Sequence, residues 1–278
     1  MLSASNINKP KNQPVKLSHI YTALSIIFSA IWIILWFTMD FLRSKNWEHL
    51  PFHSTVETIG GISAIWIAVV LFNQKDTDTD ICFLLGNGFI CKGILDIFHA
   101  VCMPGESFIF LNSAASLFSA VIFSLIWLPR NILRRYAKDH RWLIIGFIII
   151  SVSIGFRAVL FPEGVPHLVH LYDERFTFVS ITLNNSAAIL FLTTIPRWVS
   201  FYQVNGQRYF LLFLSISFLF GTSEIFFQYS DLWDGIWWSW HLIRLAANII
   251  TLWFLFNNYL LLKDEVDHFR KHTKENEY

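Results

Sequence analysis

The sequence is poor in charged residues, and this scarcity indicates its broad class. Only 15% of the 278 residues are Asp, Glu, Lys or Arg, whereas 54% are hydrophobic. A soluble domain of this length would carry more charge. The formal net charge is +1, which provides no basic surface for a polyanion and argues against nucleic acid as a partner.

Cysteines and familiar catalytic motifs are also scarce. The three cysteines (Cys82, Cys91 and Cys102) fall in one predicted helix, where their spacing does not allow pairing, so no disulfide framework is indicated. The sequence contains no phosphate-binding glycine loop, nucleophile elbow or internal repeat. The informative features are therefore the apolar segments and the polar residues within them.

Long apolar runs predict an all-α fold, a polytopic transmembrane helical bundle. Runs of about 20 residues can cross a bilayer as helices, and these runs are too uniformly apolar for barrel strands. The domain layout is a cytoplasmic N-terminal tail at 1–17, a membrane domain at 18–262 and a cytoplasmic helix or tail at 263–278. We predict eight spans, at roughly 18–41, 51–74, 80–103, 107–129, 142–162, 176–196, 208–230 and 234–262.

Basic residues predict the orientation of the spans. Cytoplasmic links carry the excess of Lys and Arg. The segment after the fourth span contains five such residues, which are Arg130, Arg134, Arg135, Lys138 and Arg141. Links on the other side are richer in acids, so both termini are expected in the cytoplasm.

Ionisable side chains inside the spans are the main functional indication, because each costs about 2.5–3.5 kcal/mol near the centre of a membrane helix. With a rise of about 1.5 Å per residue, the members from four spans lie roughly 10 Å below the outer surface. Arg157 is expected to snorkel to the interface. The remaining residues are His53, Glu57, Lys92, Asp96, His99, Glu224, His241 and Arg244.

The spacing of these residues predicts that they face the bundle interior. Residues three, four or seven positions apart share one face of a helix. Gly60 and Gly61 lie near the first of these faces and allow a neighbouring helix to approach closely. The three polar stripes are His53 and Glu57, then Lys92, Asp96 and His99, and finally His241, Arg244 and Asn248.

Three histidines and several carboxylates at one depth predict a site for a divalent transition metal (zinc, iron or copper). The alternative is a metal-free network of salt bridges and hydrogen bonds that only fixes helix packing. The tryptophans at 233, 237, 238 and 240 are expected to be interfacial anchors. The candidate ligands are His53, Glu57, Asp96, His99 and His241, with Lys92, Asn112, Glu224 and Arg244 as supporting or charge-balancing groups.

Three segments, "PFHSTVETIGG", "GILDIFHA" and "SDLWDGIWWSWHLIRLAANI", resemble the MASE-type membrane input domains of bacteria. The shared motifs are His-x3-Glu, Asp-x2-His and Trp-His-x2-Arg-Leu. The resemblance implies a sensor in the bacterial inner membrane, of the kind found ahead of histidine kinases and diguanylate cyclases. Its signature positions would be the five candidate ligands. The chain departs from this pattern at Asn112, where a histidine is expected, and in having no output domain before Tyr278.

Three functions therefore compete at this stage. The favoured function is a sensor that is not itself an enzyme and signals through the last span to a cytoplasmic partner or within a homodimer. The second is an intramembrane metal-dependent hydrolase with Glu57 or Asp96 as general base. The third is a haem or redox membrane protein with axial histidines, which nearby carboxylates disfavour.

Overall fold

The computed structural model describes residues 17–74, 78–138, 140–170 and 175–275. Except for Leu17, the predicted N-terminal tail lies outside these ranges, as do the last three residues. A two-residue hairpin pairs Val169–His170 with Arg175–Phe176. The described residues form nine α-helices, α1 Leu17–Arg43, α2 Leu50–Phe72, α3 Thr79–Ala100, α4 Glu106–Ser124, α5 Arg130–Lys138, α6 His140–Leu160, α7 Phe178–Asn205, α8 Tyr209–Phe227 and α9 Gly235–Glu275.

The predicted all-α class is confirmed. Seven helices among the described residues are long and apolar enough to cross a membrane, namely α2, α3, α4 with its following 3-10 turn, α6, α7, α8 and the Gly235–Asn257 part of α9. Helix α1 bends by 41° between Ser18–Ile34 and Trp36–Arg43, and counting this pair as one span brings the number to eight.

Six helices pack as a closed ring, and the interior of this ring holds the polar residues. Helix α2 contacts α3, followed around the ring by α4, α7, α8 and α9, which returns to α2. Helix α6 lies outside this ring against α3. Helix α1 lies outside it as well, where Phe28 and Trp32 contact Phe218 and Phe226 of α8. The ring leaves α3 the most enclosed of the apolar helices.

A glycine pair sets the crossing of α2 and α3. A Cβ atom at Gly61 would lie 2.9 Å from the carbonyl oxygen of Gly93, and one at Gly93 would lie 2.6 Å from that of Gly61. The two backbones therefore touch, as the small residues of the sequence predict. This crossing places Glu57, one turn before Gly61, beside the end of α3 that carries His99.

A second ionic cluster lies at the opposite end of α3 from His99. The guanidinium of Arg130 on α5 pairs with the carboxylates of Asp78 and Asp80, and the Tyr209 hydroxyl also donates to Asp78. Burial lowers the pKa of Arg130, but the hydrogen bonds and charges of the two carboxylates outweigh it and raise the pKa above its ordinary value. This cluster anchors α5 to the bundle.

Two helices run beyond the predicted ends of their spans, and for α9 the sequence already allows a cytoplasmic helix at 263–278. Helix α7 continues through Pro196 to Asn205, nine residues beyond the predicted end of the sixth span. It stops at Gly206, whose φ of 68° gives the left-handed C-cap that favours glycine. Helix α9 extends without interruption to Glu275, which makes it 41 residues, or about 61 Å, long.

Candidate metal centre

Four buried side chains from three helices converge near one end of the ring. His53 and Glu57 lie on α2, His99 lies near the end of α3, and His241 lies near the start of α9. Each offers one ligand atom, and these atoms lie within 4.8 Å of one another. No member is more than 5% exposed to solvent. The structure thus brings together four of the five predicted ligands.

The spacing of the ligand atoms suits a small metal ion. His53 Nε2 lies 3.3 Å from His241 Nε2, which lies 3.5 Å from Glu57 Oε1. Two ligands held about 2.1 Å from a tetrahedral ion lie roughly 3.4 Å apart. The observed separations therefore match those that a bound zinc-sized ion imposes on its ligands.

Backbone carbonyls orient two of the imidazoles. His99 Nδ1 lies 2.7 Å from the carbonyl oxygen of Phe108, and His241 Nδ1 lies 2.8 Å from that of Trp237. Because a carbonyl oxygen only accepts hydrogen bonds, each Nδ1 carries the hydrogen, and in the neutral ring each Nε2 has a lone pair directed into the site. Metal-bound histidines are oriented in the same way in proteins.

Two imidazole nitrogens of the site have no hydrogen-bond partner among the described residues. They are Nδ1 of His53 and Nε2 of His99. Buried polar atoms are generally paired, and an unpaired one costs about 1–3 kcal/mol. Because Nδ1 of His99 donates its hydrogen to the Phe108 carbonyl, the unpaired Nε2 is the nitrogen of this ring that carries the lone pair. A metal-free hydrogen-bond network does not use this lone pair, whereas a bound cation would.

Asp96, the fifth predicted ligand, has a different role. Its carboxylate lies 3.0 Å from Lys92 Nζ and 3.0 Å from an Arg244 guanidinium nitrogen. It is not a member of the four-residue cluster. Two buried cations contact Asp96 beside the cluster, so this side chain balances charge in the structure, and its predicted place among the ligands stays a prediction.

The other predicted supporting groups line the same interior. Arg244 also donates to Asn112 Oδ1, and the Ser116 hydroxyl donates to Glu224 at 2.7 Å. Lys92 Nζ lies 5.5 Å from the centre of the Phe220 ring. Arg157 differs from these residues because it is exposed and donates to the Phe161 carbonyl. Its predicted place at the membrane interface stays a prediction.

Sequence reasoning missed the role of the tryptophans. Trp233, Trp237, Trp238 and Trp240 are all buried, at 8% exposure or less, and they pack around the imidazoles. The ring of Trp237 lies 3.8 Å from that of His241 and 4.9 Å from that of His53. The prediction that they are interfacial anchors is wrong. These tryptophans lie close to His241 in the sequence, and Trp237 precedes it by four residues, so the two share a helix face. This spacing could have indicated that the tryptophans form a wall of the site.

A small cavity adjoins the cluster. Glu57 and His241 line it, whereas His53 and His99 do not, and Arg244 and Asn248 of α9 lie on its wall with Gly60 and Asp96. The space accommodates about one water molecule. Its charged lining is unlike the apolar slot that a haem requires.

No family model matches the chain, and no curated protein or solved structure is significantly similar to it. The resemblance to MASE-type input domains therefore stays a prediction, and the argument for function depends on the geometry of the site.

Proposed function

We propose that this protein is a membrane-embedded sensor or input module that holds zinc, iron or copper at His53, Glu57, His99 and His241 and signals through α9. The proposal includes eight spans, with both termini on the cytoplasmic side of a bacterial inner membrane. A cytoplasmic signalling protein or a second copy of the chain would receive the signal. The observation that carries the proposal is the convergence of four buried ligand atoms within 4.8 Å.

The chemistry of the donors supports a transition metal. Imidazole nitrogens and one carboxylate form the ligand set that zinc, iron and copper favour. The buried charges also leave room for a cation, since two positive side chains face three negative ones: Lys92 and Arg244 against Glu57, Asp96 and Glu224. A bound metal would supply the missing positive charge within the layer.

The distribution of ligands supports a signalling role. They come from α2, α3 and α9, so a change at the metal alters how α9 packs against the other two helices. Interfaces of this kind switch between discrete arrangements instead of deforming continuously. Helix α9 is suited to transmission because it carries His241 and Arg244 near one end and runs unbroken to Glu275.

Metal content is the first test. The protein is purified in detergent and its metals are measured by elemental analysis, together with an absorption spectrum. We expect about one zinc, iron or copper ion per chain, lost in the His53→Ala, His99→Ala double variant and retained in His170→Ala, which removes an exposed histidine of the hairpin. Retention of metal in the double variant, failure of the wild type to bind any of the three metals, or a haem Soret band would overturn the proposal.

Transmission through α9 needs a separate measurement. Spin labels at two exposed positions, Val204 at the end of α7 and Phe256 on α9, report the distance between these helices far from the metal. We expect the distance distribution to differ between metal-loaded and chelator-treated protein. The same label pair in the His53→Ala, His99→Ala background should give one distribution in both conditions. An unchanged distribution in the wild type would refute signalling through α9 and leave the metal centre standing.

A further inference from the structure

The cavity beside the cluster is built like a site for a ligand of the metal. Its wall includes Glu57 and His241, two of the four proposed metal ligands. A metal held by those side chains would therefore border the cavity, whose lining does not include His53 or His99. Four protein ligands close a tetrahedral zinc site, whereas copper and iron take further ligands, so a position that faces the cavity is open for these two metals.

The formal charges around the cavity call for an anion once the metal is present. With all five side chains ionised, the two cations and three carboxylates of this layer sum to one negative charge, and all five are at most 5% exposed. A divalent ion changes the sum to one positive charge. Uncompensated charge is costly away from water, so one monovalent anion balances the layer.

The lining also offers matched hydrogen-bond groups. The Arg244 guanidinium donates, and Asn248 Oδ1 is a buried acceptor without a partner among the described residues. The amide nitrogen of Asn248 donates to the carbonyl of Gly60 at 3.3 Å, which holds this side chain at the cavity wall. A ligand that accepts from one side and donates to the other would satisfy both groups.

We infer that the metal binds one water-sized, exchangeable anion, hydroxide in aqueous buffer, at a coordination position that faces this cavity. The inference depends on the proposed metal centre and adds the class of its ligand. The size of the space restricts the ligand to about one non-hydrogen atom, or two at most. A ligand of that size is a small diffusible species.

Gly60 provides a selective way to close the cavity. A Cβ atom built there lies 3.8 Å from Asn248 Nδ2 and 4.0 Å from Leu245 Cδ1, which are ordinary contacts. Gly60→Ala therefore fits the fold and takes up space that the anion needs. Gly146→Ala is a matched control, because a Cβ atom at this position of α6 meets nothing within 4 Å.

The test uses copper-loaded full-length protein in detergent, with fluoride as the probe and electron paramagnetic resonance as the readout. A fluoride ion bound to Cu²⁺ splits the copper signal through its nuclear spin. We expect this splitting in the wild type and in Gly146→Ala. In Gly60→Ala we expect full copper binding and at least a tenfold higher fluoride concentration for the same splitting.

Each result separates the two proposals. Copper binding without any fluoride splitting in the wild type would overturn the exchangeable anion and leave the metal centre intact. Equal fluoride affinity in Gly60→Ala and the wild type would show that the anion does not occupy this cavity. Failure to bind copper, zinc or iron would overturn the metal centre and, with it, this inference.

Discussion

Replacing Asp96 by Asn separates charge pairing from metal binding at this site. The change keeps the size of the side chain but removes the negative charge that lies 3.0 Å from both Lys92 Nζ and an Arg244 nitrogen. All three side chains are buried, so the two cations remain without their shared partner in a poorly hydrated interior. Removing one member of a buried ion pair costs about 3–5 kcal/mol.

This cost converts to a measurable change in unfolding temperature. At about 2–4 °C per kcal/mol for chains of comparable size, Asp96→Asn should lower the unfolding temperature by about 6–20 °C. The decrease should be present in chelator-treated protein, because the lost contacts involve only protein groups. Tryptophan fluorescence during heating in detergent provides the measurement, since several tryptophans surround the site.

Glu57→Gln is the comparison variant. Glu57 belongs to the ligand cluster and lies 3.5 Å from His241 Nε2. We expect this variant to weaken metal binding at least tenfold and to unfold in chelator at a temperature nearer to that of the wild type. The reasoning is refuted if Asp96→Asn unfolds in chelator at the wild-type temperature, or if it loses metal as completely as Glu57→Gln while keeping its stability.

Four further outcomes follow from the structure. Gly61→Ala should destabilise the protein by about 1–3 kcal/mol in chemical unfolding, because its Cβ atom would lie 2.9 Å from the Gly93 carbonyl oxygen; Gly60→Ala, which has space, is the control. Trp237→Phe should reduce the fluorescence quenching caused by added Cu²⁺, and unchanged quenching would contradict its position against the imidazole of His241. Arg130→Met should cost about 1–3 kcal/mol, because two carboxylates lose a charged donor, and wild-type stability would contradict their pairing. Metal affinity measured by titration should fall as pH is lowered from about 8 to about 5, because protons compete with the metal for the ligand atoms of the site, and a flat profile would contradict that competition.

The sequence was sufficient to predict the layer of polar residues. Helical rise fixed the depth of His53, Glu57, His99 and His241, and the i, i+4 or i, i+7 spacings fixed a common face. The high cost of charge in lipid then indicated that those faces meet inside the bundle. These four side chains meet in the structure because the polar faces of the neighbouring ring helices point into the same interior.

The sequence was not sufficient to distinguish the proposed metal ligands from the charge-balancing residues among these polar side chains. Asp96 and Glu57 are both carboxylates at one depth. The i, i+4 spacing pairs Asp96 with Lys92 on α3, and the packing of α9 in the bundle adds Arg244. The sequence was also not sufficient for the sixth span, whose predicted end at 196 coincides with Pro196 inside α7. Membrane helices tolerate proline when surrounding groups satisfy the backbone, and α7 continues to the glycine cap at Gly206.

The unbroken length of α9 has a mechanical consequence. From His241 to Glu275 the helix rises about 1.5 Å per residue, so the two positions are separated by roughly 51 Å. A rigid rod of that length, pivoting at the imidazole, moves its far tip by about 0.9 Å for each degree of tilt. If a change of a few tenths of an ångström in a coordination bond tilts α9 by several degrees, the far end of the helix moves by about the width of a side chain.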